Sequence, residues 1–307
     1  MSHSTDSNSE NISTLSVILP DESSCLLTDI CIEREYFIVV DNVNRRVKRY
    51  RKGDNCLQDY IFLEDPCGIC KLFLSSHIVV TEPCNKQLTY VSVEGNMILS
   101  SRRKTNKKYS AIRCLDETRL VVGCCELANA SVDILDYTGK VQRTINSNEK
   151  EYPLFVTPAC LACFNEEYIV ISDSGTRNVT CINKNDKVEW IIELKCSPSG
   201  VCVSKSGTVY ICLYNENKIV TVDNIHNGDV AGSIDDIQLK NPLSISNSTG
   251  CLYVTEEMPS DRIVQIQIDD PSDKGRVVDL SNIHLITKKE SDNQQISSLS
   301  SEEDEPQ

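Results

Sequence analysis

The stretch VVDNVNRRVKRY, Val39 to Tyr50, reads as two short β-strands around a tight polar turn. Two features stand out in it. An acid ends the first apolar run, and basic residues crowd the second half. If the stretch is unique, the basic residues suggest a binding site. If it recurs, the strand and turn residues belong to a structural unit.

It recurs. After VVD ending at Asp41, similar strand ends appear at Glu82 (VVTE), Cys124 (VVGC), Asp173 (VISD), Tyr214 (ICLY) and Glu256 (YVTE), at spacings of 41, 42, 49, 41 and 42. An alternating strand follows each: RVKRY, QLTYV, SVDIL, NVTCI, IVTVD and RIVQIQI. Three positions after the strand end come Asn44, Asn85, Thr176 and Asn217; one later come Arg45, Lys86, Arg177 and Lys218. Asn and Thr side chains bond back to nearby backbone, which favours turns. Four copies open on proline (PCGIC, PACLAC, PSGVC, PLSIS), which suits a strand entry. Four short strands per unit with a period of about 40 to 50 residues are the signature of a β-propeller blade. The expected fold is all-β: one six-bladed propeller of four-stranded antiparallel blades. Its blades should start near residues 24, 66, 109, 158, 198 and 242, with almost no helix.

At these residues the chain resembles the NHL-repeat propellers found at the C-terminus of tripartite-motif proteins. The pattern is proline, glycine and an aliphatic opening a strand, aspartate after the next strand, then Asn-Arg or Asn-Lys before a third. The best copies are PCGIC…VVTEPCNKQL, PSGVC…ICLYNENKIV and VVDNVNRRVKRY; the third and sixth depart from it with GCCELANAS and EEMPSDR. No RING pattern of interleaved Cys and His and no coiled-coil heptad run accompanies the repeats. The resemblance therefore carries over no ubiquitin-ligase chemistry.

Three parts are expected: residues 1–12 disordered, 13–287 the propeller, and 288–307 a disordered acidic, serine-rich tail. STLSVIL (13–19) reads as an extra strand that completes the last blade and joins the chain ends. GRVVDL (275–280) is the competing choice for that outer strand. Ser300 and Ser301 each precede an acid by three positions (Glu303, Asp304). They are candidate phosphorylation sites in what is otherwise a solubilising tail. No apolar run is long enough to cross a membrane, and the start lacks the basic and apolar regions of a signal peptide. A cytoplasmic monomer that binds no membrane is expected. Sixteen cysteines, mostly inside apolar runs, are then reduced core thiols.

Catalytic and metal constellations are weak. The acids Asp41, Glu82, Asp173 and Glu256 could hold calcium near a central channel, as in a calcium-dependent hydrolase or lactonase. Their recurrence in blade after blade fits turn capping better. Cys67, Cys70, Cys160 and Cys163 have zinc-like spacing, but residues three apart on a strand point to opposite faces. Of the four histidines, His3, His77, His226 and His284, none joins a recognisable triad. No catalytic residue, metal or cofactor is called for, and the chain is expected not to be an enzyme.

The net charge is −14, which argues against general attraction to nucleic acid. Yet RRVKRYRK (45–52) holds six basic residues and SRRKTNKK (101–108) five. Setting those eleven aside leaves 20 basic residues against 45 acidic. A basic rim is expected from Arg45, Arg46, Arg49, Lys86, Arg102, Arg103, Lys104, Lys107, Lys108, Arg177 and Lys218, with 102–108 forming a loop. Its bland reading is turn residues with solvated heads. The functional reading is a scaffold that recognises a protein or acidic peptide. The alternative is RNA, for which Tyr50 and Tyr109 flank the two clusters.

Overall fold

A computed structural model describes residues 12–147, 151–234, 237–248, 250–257, 262–268 and 283–286. Strand β1 (Ile12–Ser16) precedes the first blade. Blade 1 holds β2 (Leu27–Glu33), β3 (Tyr36–Asp41), β4 (Arg46–Arg51) and β5 (Leu57–Phe62); blade 2 holds β6 (Ile69–Lys71), β7 (His77–Glu82), β8 (Gln87–Ser92) and β9 (Ile98–Lys104). Blade 3 holds β10 (Tyr109–Cys114), β11 (Arg119–Cys124), β12 (Ser131–Asp136) and β13 (Val141–Ile145); blade 4 holds β14 (Pro158–Phe164), β15 (Tyr168–Asp173), β16 (Asn178–Asn183) and β17 (Val188–Leu194). Blade 5 holds β18 (Pro198–Val203), β19 (Val209–Leu213), β20 (Lys218–Val222) and β21 (Val230–Ile234); blade 6 holds β22 (Pro242–Ser248), β23 (Cys251–Glu256) and β24 (Arg262–Gln267). Among the described residues the only helical turns are Pro83–Asn85 and Tyr214–Glu216. The chain is an all-β, six-bladed propeller of four-stranded antiparallel blades, with inner strands close to where the repeat spacing puts them.

The core is six wedges rather than one mass. Successive strand residues face opposite sides of a sheet, so each blade sends alternate side chains to its two neighbours. On β3, Ile38 and Val40 pack towards blade 2, while Phe37 and Val39 pack towards blade 6. On β15, Ile169 and Ile171 face blade 3 and Val170 faces blade 5. Inner and middle strands are thus covered on both faces, which is why they read as near-continuous apolar runs.

The ring closes through its ends. β1 pairs antiparallel with β24, from Ile12 opposite Ile266 to Ser16 opposite Arg262, and so becomes the outer strand of blade 6. The N-terminal option for closure is the one adopted. The competing stretch 275–280 lies outside the described residues, as do 1–11, the tail 288–307 with Ser300 and Ser301, and His3. An additional strand, β25 (Ile283–Ile286), pairs antiparallel with β17 and makes blade 4 five-stranded. His284 lies on it.

The repeated acids hold the turns. The Asp41 carboxylate accepts hydrogen bonds from Leu26 N and from the backbone and side chain of Asn44. Glu82 accepts from Glu64 N and Gln87, and Asp173 from the backbone N–H groups of Val156, Thr157, Gly175 and Thr176. Glu256 accepts from Lys240 N and Arg262. Each acid ties its own turn to the loop arriving from the preceding blade. Blade 3 lacks an acid at the strand end, and Glu126 two residues later takes the bond from Lys108 N.

Candidate functional site

The face of interest carries the turns between second and third strands together with the blade-to-blade loops. Backbone bonds place both on one rim: Leu63 N to Arg45 O, Thr105 N to Lys86 O and Leu194 N to Arg177 O. Arg45, Lys86 and Arg177 hold the left-handed turn position, with φ of 55°, 46° and 58°, and their side chains are exposed. Lys218 is half-buried against Glu216 at 2.6 Å.

Two of the expected rim residues are not on it. Arg46 is buried in ion pairs with Asp21 and Glu22, its guanidinium 4.8 Å from the rings of both Tyr60 and Phe62. Arg49 is buried between Asp59, at 2.8 Å, and the carbonyls of Val93 and Gly95 in blade 2. The reason is their place on β4. A third strand is covered by neighbouring blades, so its charges must find partners inside. Lys48, on the same strand, has no exposed surface. Lys52 reaches Ser248 and the Tyr253 ring in blade 6. The run 45–52 is also a strand long, so its two ends sit on opposite rims, roughly 20 Å apart. The blade 1 cluster is mostly fastening, and only Arg45 and Arg51 stay exposed.

The second cluster is different. The expected loop 102–108 is strand as far as Lys104, and only Thr105 onward is connection. Arg102, Arg103, Lys104 and Lys108 are exposed. Lys104 Nζ lies 3.1 Å from Asn85 O, Arg102 stands 4.0 Å from Glu82, and Lys107 is paired with Asp133 at 2.8 Å. Beside the cations, Ile98 and Leu99 are exposed on the same strand, and no described strand pairs with the outer edge of β9.

In the middle of the ring is a cavity of about 570 Å³. Its wall includes Thr28, Ser110, Ser174, Ser197, Ser199 and Ser244, with Tyr214 and Glu257 among its other lining residues. One network there touches every blade. Arg113 of β10 donates to both oxygens of Asp29 on β2 at 2.8 and 3.1 Å; Asp29 also accepts from Ile69 N of β6 and Ser244 Oγ of β22. Arg113 further reaches the Cys160 sulfur of β14, which accepts from Val201 N of β18. Burial works against the Arg113 charge, but Asp29 more than compensates and raises its pKa. Sequence reasoning missed this pair, whose members lie 84 residues apart. The available signal was a charge at the centre of each apolar inner strand, LTDICIE and AIRCL.

Burial pushes the Cys67 thiol up to about 12 and raises Cys160 as well, so both are held as thiols rather than nucleophilic thiolates. Among the described residues that line the cavity, none is a histidine. His77 contacts Ser75, and His226 sits edge-on to Phe164 and Tyr168, away from the cavity wall. Cys67, Cys70, Cys160 and Cys163 do not converge: among the described residues the one group with metal-ligand spacing is Glu22, Cys25 and Asp41. Lys48 occupies that group. Its ammonium is 2.6 Å from Glu22, 2.7 Å from Asp41 and 3.5 Å from the Cys25 sulfur, and it donates to Val17 O as well.

No family model matches the chain, and no curated protein does. Solved structures do. Hydrazine synthase of Kuenenia stuttgartiensis superposes with a TM-score of 0.61 at 10% identity, over 82% of this chain and 98% of that one. Virginiamycin B lyase from Staphylococcus aureus gives 0.59 at 11%, over 84% and 99%. The Cps50 (Swd1) β-propeller domain of Myceliophteria thermophila gives 0.60 at 7%, over 84% and 100%. They show the fold alone. Enzymes and a propeller domain that is not named as an enzyme stand side by side among them.

Proposed function

We propose that this propeller is a non-enzymatic binding platform that recognises an acidic segment of a protein partner through the blade 2 side of its turn-bearing face. The observation that carries it is the exposed stripe of Arg102, Arg103 and Lys104, with Lys86 and Lys108 nearby, on a chain of net charge −14. Most of the other clustered cations are buried in internal pairs; Arg102, Arg103 and Lys104 keep exposed surface. The protonated channel thiols and the fully engaged Asp29–Arg113 pair support a binding role over a catalytic one. All sixteen cysteines are free, which supports a reducing compartment such as the cytoplasm. The Pro-Gly-aliphatic openings and Asn-Arg turns support kinship with NHL-repeat propellers. The RNA reading loses ground because Tyr50 and Tyr109 are buried and cannot stack on bases.

The test is reversal of the stripe. Arg103→Glu with Lys104→Glu changes exposed side chains, so each should alter stability by no more than about 0.5 kcal/mol. Exposed ion pairs are worth about 0.2–1 kcal/mol each, so losing two should lower affinity for an acidic peptide by about twofold to about thirtyfold. Binding should weaken with salt and survive nuclease. Unchanged capture by the doubly reversed chain overturns the reading. Loss of capture on nuclease treatment, with a log–log salt slope of about −0.7 per phosphate, replaces it with RNA.

A further inference from the structure

β9 reads Leu99-Ser100-Ser101-Arg102-Arg103-Lys104, and residues 299–304 read Leu-Ser-Ser-Glu-Glu-Asp. The two hexapeptides are identical in their first three residues and opposite in charge in their last three. In a parallel pairing at this offset, Leu299 falls beside Leu99, Glu302 beside Arg102, Glu303 beside Arg103 and Asp304 beside Lys104. An antiparallel pairing would set the acids against the apolar end.

We infer that residues 299–304 dock in parallel on the free edge of β9 and cover the basic stripe. This rests on the reading of β9 as a site for acidic segments, and it adds that the chain carries its own competitor. Four observations meet here. The outer edge of β9 is unpaired among the described strands. Ile98 is 61% and Leu99 42% exposed, so an apolar as well as a charged partner is wanted. Outer edges of this propeller do accept an added strand, as β25 shows on β17. And the described chain ends at Ile286, on blade 4, two blades from β9. The twelve residues 287–298 span up to about 40 Å when extended. A compact domain of this size has a radius of gyration of about 19 Å, so the reach is sufficient. A register slip leaves one extra residue on β9 between Leu99 and Ser101, so the pairing is carried by 101–104. Phosphate on Ser300 or Ser301 would add negative charge next to the same cations and tighten the contact.

Hydrogen exchange on the full chain tests this directly. Three chains are compared: the parent, Glu303→Lys with Asp304→Lys, and that pair combined with Arg103→Glu and Lys104→Glu. A cross-strand ion pair is worth a factor of about 1.4 to 5. Reversing two should therefore speed exchange of the β9 amides that do not bond β8 by at least about twofold, and the fourfold swap should restore the parent rate. A synthetic peptide of residues 296–305 is the second probe. It should bind the tail-reversed chain more tightly than the parent, and more tightly still when phosphorylated at Ser300 and Ser301. Light scattering separates a tail docked on its own chain from one docked on a second copy; oligomers in the parent that vanish on tail reversal would overturn the intramolecular form. Equal β9 exchange in all three chains, with the peptide bound equally by parent and tail-reversed chains, overturns the tail contact and leaves the binding surface standing. A peptide bound by neither overturns both.

Discussion

Lys48 has no surface in contact with water and yet keeps its charge. Burial lowers its pKa, but the carboxylates of Asp41 and Glu22 outweigh burial and leave it raised. Burial likewise raises Asp41, and bonds from Asn44 and Lys48 reverse the shift to a net lowering. Lys48→Met would strand two carboxylates in the wedge between blades 1 and 6. Removing one partner of a buried pair costs about 3–5 kcal/mol, which denaturant unfolding at neutral pH should report. The pH dependence follows from the signs. A raised Lys48 contributes fully below its unfolded value of about 10.4 and loses the contribution as pH rises through the folded one; a lowered Asp41 contributes above about 3.9 and loses it as pH falls through its folded value. The parent should hold a plateau between these limits. The gap to Lys48→Met should narrow as acid protonates the stranded carboxylates; a gap that does not change down to pH 4 would contradict the account. None of this was legible locally. Arg46, Lys48 and Arg49 look like a surface run because their partners Glu22, Asp59, Val93 and Gly95 lie elsewhere in the sequence and, for the last two, in another blade. The turn residues Arg45, Lys86 and Arg177 were readable because their task is met within four residues.

At the scale of the strand, the inner strands show why the opening motif contains glycine. A Cβ on Gly68 would sit 2.4 Å from Ser110 O, and one on Gly200 would sit 2.7 Å from Ile245 N, each in the next blade. The inner strands converge on the axis, and backbone meets backbone there. Equivalent positions hold Ala111, Cys160 and Ser244, all small. Five of the six inner strands carry a register slip at this point, such as that between Leu27 and Asp29. Hydroxyls then latch blade to blade, as Thr28 to Cys67 O and Thr81 to Ser110 O. Gly68→Ala should force β6 and β10 apart and cost about 1–3 kcal/mol, the usual range for overpacking; a urea midpoint equal to the parent's would show that the contact yields freely. Inner and middle strands could be read from sequence, since both faces are buried and the apolar runs are strong. The outer strand of blade 2 could not. β9 has the burial pattern of a surface segment along its whole length, so its polar second half resembles a loop.

For the molecule as a whole, the repeat spacing is sufficient to count blades, because a period near 41 residues leaves little freedom in what each unit contains. It does not decide how the ring shuts, since two segments had strand-like pattern and either could have served. β1 takes the place, and its continuation helps hold it: Val17 O accepts from both Lys48 and Tyr50. Deleting residues 1–16 should leave β24 with a bare edge, lower the thermal midpoint, and produce self-association visible by light scattering, as open edges do. A truncated chain that stays monomeric with an unchanged midpoint would mean that β1 is only an ornament of blade 6.

The closing arrangement also sets a schedule. Strand β1 is made long before its partner, residues 262–266 of the last blade. At roughly 5–20 residues per second, β1 waits on the order of tens of seconds for its partner. Through that interval blades 1 to 5 can stack in order of synthesis while the seam remains open. Any pause in translation before blade 6 prolongs the period in which an unpaired strand is available to neighbouring nascent chains on the same messenger.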